Sequence, residues 1–127
     1  MNVSTPPRSP DAFTIERHGG LVLISASPAL ENLDHSYEQQ ATELLLAPLR
    51  SEPEPNVVFD LSQVRYFGSM FLAVMLRCWK HVKARGGTMV LAGVSPQVKD
   101  LLRVTALDMI WAIYPDRRSA MEALLSD

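Results

Sequence analysis

Hydrophobic residues along this chain change repeatedly between the spacing of β-strands and the spacing of helices. Residues 13–16 alternate apolar and polar side chains, and residues 21–24 form a continuous apolar run after the pair Gly19-Gly20. Two short apolar segments joined by a glycine pair predict a β-hairpin. Residues 56–60 form another run that is apolar on both faces, which indicates a central strand covered by helices.

The segments that follow these strands have the three-and-four spacing of amphipathic helices. A first helix is predicted from residue 34 or 36 to about residue 49, and a second over residues 69–85, before Gly86-Gly87. Glycine at that point supplies the left-handed residue that commonly ends a helix. Residues 88–92 are predicted to form the fourth strand.

Two more helices and one more strand are predicted towards the C-terminus. Ser95-Pro96 is a helix start signal, with the serine as N-cap and the proline in the first turn. A last strand is predicted around residues 110–113, and Pro115-Asp116 is predicted to open a terminal helix. The inward-facing residues of that helix would be Ala120, Met121, Leu124 and Leu125.

The resulting order, β-β-α-β-α-β-α-β-α, predicts an α/β fold with a mixed, mainly parallel sheet of about five strands and about four helices. Residues 12–127 are predicted to form a single domain. Residues 1–11 are rich in proline and serine, and we expect them to be a disordered tail because they contain too few apolar groups to offset the entropy of ordering.

Composition narrows the classes of partner. The 127 residues are 47% hydrophobic and carry a net charge of −2, so the charge balance gives no case for nucleic-acid binding. No apolar stretch approaches the roughly 18 residues that span a bilayer, so the chain is not expected to be membrane-inserted. The only cysteine, Cys78, fits a reducing compartment, and we expect a cytoplasmic protein.

Catalytic and metal-binding patterns are absent from the sequence. Phe67 and Phe71 occupy both glycine positions that a G-x-S-x-G nucleophile turn around Ser69 would need. The histidines are scattered, and Cys78 is better explained as a small core residue on a helix. Asp60, at the end of a strand, is expected to accept backbone N–H groups of the following turn. The prediction is a non-enzymatic protein without catalytic residues, metal or cofactor.

The predicted start of the second helix is the most informative part of the chain. Ser69 would lie where backbone N–H groups are unpaired and the helix dipole is positive, so it is a candidate N-cap and a candidate phosphate acceptor. Large apolar residues surround it, and they would either be buried under a neighbouring loop or form a protein-contact patch. The candidate partner-binding residues are Tyr66, Phe67, Gly68, Met70 and Phe71.

The chain resembles the STAS domain family, which includes bacterial anti-sigma-factor antagonists and modules of transporters and stressosome proteins. The resemblance extends over residues 12–125. The family pattern has an apolar strand ending D-L-S, then D-S-S/T-G-L at a helix start, G-G-x-x-x-L, S-P-x-V-x-x-L-L and L-D. The matching segments are residues 57–76, 86–98, 101–102 and 107–108.

This resemblance implies a STAS-like fold and a phosphorylation switch. In such antagonists a hydroxyl of the D-S-S/T-G motif is phosphorylated by a serine kinase that is itself the anti-sigma factor, and the added charge breaks the complex. At these positions the chain has Gly68, Ser69, Met70 and Phe71, so Ser69 alone is retained from the motif.

The predicted function is therefore that of a regulatory STAS interaction module, similar to an anti-sigma factor antagonist. It would bind a serine-kinase-type anti-sigma regulator and be switched by phosphorylation at Ser69. Two alternatives stay open: a constitutive STAS subunit that binds the ATPase of an ABC-type lipid transport system, and a small-ligand-binding STAS module. A homodimer is also compatible with the sequence.

Overall fold

The computed structural model describes residues 12–125; the predicted disordered tail, residues 1–11, lies outside them. Five strands form one sheet in the order of the chain. Strand β1 (Phe13–His18) pairs antiparallel with β2 (Leu21–Ala26), as the predicted hairpin requires. The remaining neighbours are parallel, so the predicted mixed, mainly parallel sheet is confirmed. The last three strands are β3 (Asn56–Asp60), β4 (Thr88–Ala92) and β5 (Ile113–Tyr114).

Within the described part of the chain, four α-helices connect or follow these strands. Helix α1 extends over Glu38–Arg50, α2 over Ser69–Ala84, α3 over Pro96–Val104 and α4 over Arg117–Leu125. Short 3₁₀ turns at Pro28–Asn32 and His35–Tyr37 precede α1. Helix α2 ends where predicted, since Gly86 adopts the left-handed conformation with φ of 75°.

The sheet separates two apolar layers of different size. The larger layer packs α1, α2 and α3 on one face, and the smaller packs Ala120, Met121 and Leu124 of α4 on the other. Alternate residues of β3 enter the two layers: Val57 and Phe59 the larger, Val58 the smaller. Because β3 lies in the middle of the sheet, its continuous apolar sequence is explained by burial on both faces.

Two local predictions near the C-terminus were wrong. The last strand begins at Ile113 rather than near residue 110, because Leu107–Met109 forms a 3₁₀ turn after the left-handed residue Ala106. Leu125, predicted to face inward, is 59% exposed. In α4 the buried positions are Ala120 and, in part, Leu124, which lie one helical turn apart, and Leu125 lies about 100° further around the helix.

The first turn of α2 is fixed to the sheet by aromatic packing. Phe71 is fully buried, and its ring lies 5.0 Å from that of Phe67, 5.7 Å from that of Phe13 and 6.2 Å from that of Phe59. Aromatic pairs in this range of distances add attraction to the gain from burial. This contact determines which side of α2 faces solvent.

We predict that Phe71→Ala lowers the free energy of unfolding by about 3–5 kcal/mol, the cost of emptying a buried aromatic site. Urea denaturation monitored by circular dichroism measures it. Tyr66→Ala is the control, because that side chain is 52% exposed and its loss should change stability by at most about 0.5 kcal/mol. Equal losses for the two variants would contradict the packing described.

Cys78 gives a second test of the core. The residue is buried on the inner side of α2, as predicted, and burial raises the pKa of its thiol to about 12. Because the thiolate is the reactive form, the folded protein should not react with an aromatic disulfide reagent at about pH 8, where an exposed thiol reacts readily. Unfolding in urea should release one reactive thiol per chain. Rapid labelling of the folded protein would contradict the burial of Cys78.

Candidate functional site

In the segment between β3 and α2, every third residue is buried. Leu61, Val64 and Phe67 are buried, and the residues between them are exposed. The segment is also held by its backbone, since the N–H of Leu61 donates to the carbonyl of Ala92 at 2.9 Å and the N–H of Val64 to that of Leu61 at 3.0 Å. A segment without regular secondary structure is therefore anchored at three points along its length.

Ser69 is the first residue of α2 and is exposed. The prediction that it could be the N-cap was wrong, because that position belongs to Gly68, whose backbone is extended with φ of −99° and ψ of −165°. The carbonyl of Gly68 accepts the first helical N–H, from Leu72, at 3.4 Å. Gly68 has no side chain to cap the helix, so Ser69 lies in a first turn without a side-chain cap, at the positive end of the helix dipole.

The predicted patch around Ser69 is divided between surface and core. Tyr66, Gly68 and Ser69 are exposed, whereas the side chains of Phe67, Met70 and Phe71 are buried in the larger layer. Of the two explanations for these three, burial within the domain is observed, but they also line the cleft beside Ser69, so their role as contact residues stays a prediction. The reason for the burial is helical spacing, which turns Met70 and Phe71 towards the sheet when Ser69 faces outward.

A cleft of about 210 Å³ lies beside Ser69. Its far side is formed by the 3₁₀ segments between β2 and α1, which contribute two carboxylates, those of Glu31 and Asp34. The N–H and hydroxyl of Ser36 donate to Asp34, and these hydrogen bonds, that of the side chain first, lower the pKa of the Asp34 carboxyl. The exposed Ser69 therefore borders a cleft that contains two carboxylates, His35 and apolar residues.

Arg65, four residues before Ser69, has both of its backbone groups bonded to side chains. Its N–H donates to Glu31 Oε2 at 2.9 Å, and its carbonyl accepts from Ser95 Oγ at 2.6 Å. The predicted N-cap role of Ser95 is confirmed, since the same oxygen accepts the N–H of Val98 at 3.1 Å. The start signal of α3 was readable in the sequence, but the long-range bonds to Arg65 had no sequence signal.

Asp60 has a structural role. Its Oδ1 accepts the N–H of Ser62 at 3.0 Å, as predicted. A second contact was missed: Arg117 Nε donates to Asp60 Oδ2 at 2.7 Å, and the same guanidinium donates to Ser25 Oγ at 3.0 Å. These bonds join the adjacent ends of β2 and β3 to the start of α4, and they occupy the carboxylate.

The basic residues of α2 belong mostly to its solvated side. Arg77 Nη1 lies 2.7 Å from Glu38 of α1, and Arg85 donates to the carbonyls of Arg50 and Glu52. The groove between α1 and α2, about 590 Å³ in volume, contains the pair of Arg77 and Glu38.

No group of three or more potential metal ligands occurs within residues 12–125. None of the helices in that range is both long and apolar enough to cross a membrane. The arrangement around Ser69 presents an exposed serine on an anchored segment.

Comparison with known proteins identifies the family. The STAS domain model matches residues 13–120. An anti-sigma F factor antagonist from Paenibacillus polymyxa is 27% identical over 110 residues, which cover 87% of this chain and 92% of that protein.

Solved structures agree with the sequence comparison. An anti-sigma-factor antagonist (STAS) domain protein from Planctomyces limnophilus superposes with a TM-score of 0.81 at 28% identity, covering 90% of this chain and 98% of that one. The anti-sigma factor antagonist SpoIIAA in its unphosphorylated form has a TM-score of 0.73 at 18% identity, covering 88% and 95%, and supports the fold alone. The chain therefore belongs to the STAS domain family and is similar to its anti-sigma factor antagonists.

Proposed function

We propose that this protein is a non-enzymatic regulatory module that binds a serine-kinase-type anti-sigma regulator and releases it when Ser69 is phosphorylated. The contact surface is the exposed start of α2, with Tyr66, Gly68 and Ser69 at its centre. The observation that carries the proposal is the exposure of Ser69, the first residue of a helix whose next two residues are anchored in the core.

The geometry supports both steps of such a switch. An exposed hydroxyl on an anchored backbone is accessible to a kinase, and the N-terminal N–H groups of α2 would stabilise a phosphate. Phosphorylation adds a charge of about −1.5 to −2 beside the carboxylates of Glu31 and Asp34, which line the same cleft. A partner surface that fits the unmodified cleft would then meet a strongly anionic one.

The family motif is incomplete here, and the structure gives a physical reason for part of the change. Met70 and Phe71, which replace the second hydroxyl and the glycine, are core residues. The motif aspartate is replaced by Gly68. We propose that Glu31 and Asp34, from the opposite side of the cleft, supply the negative charge near Ser69 that the motif aspartate supplies in other antagonists.

The same incompleteness favours a second candidate, a constitutive STAS subunit of an ABC-type lipid transport system. Two of the four motif positions serve packing, and a permanent subunit needs no phosphate acceptor. Stable co-purification with an ATPase subunit, unchanged by kinase and ATP, would support it. The small-ligand alternative is tested by a thermal-shift screen with nucleotides and lipids, and lack of stabilisation counts against it.

The principal test is a charge substitution at the phosphate-acceptor position. We predict that Ser69→Asp weakens binding to a serine-kinase-type anti-sigma regulator at least about tenfold, or ~1.4 kcal/mol, because it adds a negative charge beside the carboxylates of Glu31 and Asp34. Ser69→Asn, which has nearly the same size without the charge, should bind like the wild type. Isothermal titration calorimetry measures the three affinities.

A thermal melt separates this effect from unfolding. An acidic residue in the first turn of a helix is stabilising by roughly 0.3–1 kcal/mol, so Ser69→Asp should melt at or above the wild-type temperature. Equal affinity of the Asp and Asn variants would reject the switch. Mass spectrometry after incubation with the kinase and ATP should locate the phosphate on Ser69 and on no other residue.

Tyr66 provides a test of the contact surface itself. We predict that Tyr66→Ala weakens regulator binding about tenfold, because an aromatic side chain at the centre of an interface commonly contributes 1–2 kcal/mol or more. Met109→Ala is the matched control: Met109 is 82% exposed but lies beside Trp79 and Lys83, near the other end of α2. If the control loses as much affinity as Tyr66→Ala, the contact surface is elsewhere.

A further inference from the structure

We infer that Glu31 and Ser95 are positioning residues that hold residues 65–69 in their binding conformation before any partner arrives. The expected effect on affinity for the partner rests on the function proposed above, whereas the effect on the order of residues 65–69 does not. Neither residue belongs to the motif around Ser69, and each acts through the backbone of Arg65.

The two side chains reach Arg65 from separate parts of the chain. Glu31 lies in the 3₁₀ turn after β2, 34 residues earlier, and its carboxylate accepts the Arg65 N–H at 2.9 Å. Ser95 lies at the junction of β4 and α3, 30 residues later, and its hydroxyl donates to the Arg65 carbonyl at 2.6 Å. The turns after β2, β3 and β4 are thereby joined through one residue.

These bonds matter because Arg65 and Tyr66, between the buried Val64 and Phe67, are exposed and gain little order from packing. Backbone groups outside regular structure must find partners or water, and Arg65 finds both partners in side chains. Its guanidinium is 84% exposed and lies 3.7 Å from Glu31, so this exposed ion pair contributes little. Fixing both backbone groups of Arg65 sets the direction of the chain immediately before Tyr66, and Gly68 would otherwise allow broad freedom.

A preordered segment lowers the entropy cost of association. Phe67 anchors the segment after Tyr66, and the bonds to Arg65 anchor it before Tyr66. The backbone at Tyr66 is therefore fixed on both sides, at Arg65 and at Phe67. Loss of the bonds to Arg65 should leave α2 and the core intact and make residues 65–68 more mobile.

Variants can separate this role from the capping of α3. Ser95→Asp retains an acceptor for the Val98 N–H, and aspartate is a good N-cap, but its carboxylate cannot donate to the Arg65 carbonyl. Ser95→Thr keeps both functions and is the conservative control. Glu31→Gln keeps an oxygen that accepts the Arg65 N–H, and Glu31→Ala removes it.

Amide hydrogen exchange on the full free chain decides whether these residues order the segment. Exchange of the Arg65 amide, whose N–H is hydrogen-bonded to Glu31, should become about fivefold faster in Ser95→Asp and in Glu31→Ala, the factor that corresponds to one hydrogen bond of ~1 kcal/mol. The Thr and Gln variants should resemble the wild type, and the β3 amides should be unchanged in all four. Unchanged exchange of the Arg65 amide in both disruptive variants would overturn the inference.

Affinity for the kinase-type regulator then tests the consequence. Ser95→Asp and Glu31→Ala should bind roughly five- to tenfold more weakly, with the Thr and Gln variants restoring affinity. Faster exchange without weaker binding would reject the positioning role while leaving the proposed function intact. If wild-type protein itself fails to bind the regulator, the proposed function fails, and the exchange result alone decides whether Glu31 and Ser95 order the segment.

Discussion

The packing of Phe71 against the rings of Phe13, Phe59 and Phe67 is the contact on which the rest of the candidate site depends. It joins the first turn of α2 to the sheet and thereby sets the rotation of the helix about its own axis. With Met70 and Phe71 turned inward, helical geometry leaves Ser69 outward. Ser69 is thus exposed because Phe71, two residues later in the helix, is buried.

The parallel sheet supplies the second constraint. The C-terminal ends of β2, β3 and β4 lie side by side, so the turns that follow them meet at one edge of the domain. Contacts between these turns come from short polar side chains: Glu31 and Ser95 to Arg65, and Asp60 to the following turn. Such an edge is a usual place for binding in open α/β sheets, and here the bonds among the turns run beside the cleft that Ser69 lines.

The acidic cleft also changes how the incomplete STAS motif is understood. Two of the motif positions are occupied here by Met70 and Phe71, which pack in the core. Carboxylates remain close to Ser69, but they come from the turn after β2 rather than from the motif itself.

Local sequence determined most of the fold. The glycine pair of the hairpin, the apolar run of β3, the Ser95-Pro96 helix start and the glycines after α2 each express a short-range preference, and each is found where predicted. Only tertiary structure decided which apolar residues near Ser69 are buried, that Gly68 rather than Ser69 is the N-cap, and that Glu31, Ser95 and Arg117 bond to residues at least 30 positions away. The physical reason is range: periodicity and capping act within a few residues, whereas burial and these hydrogen bonds depend on elements that only the folded sheet brings together.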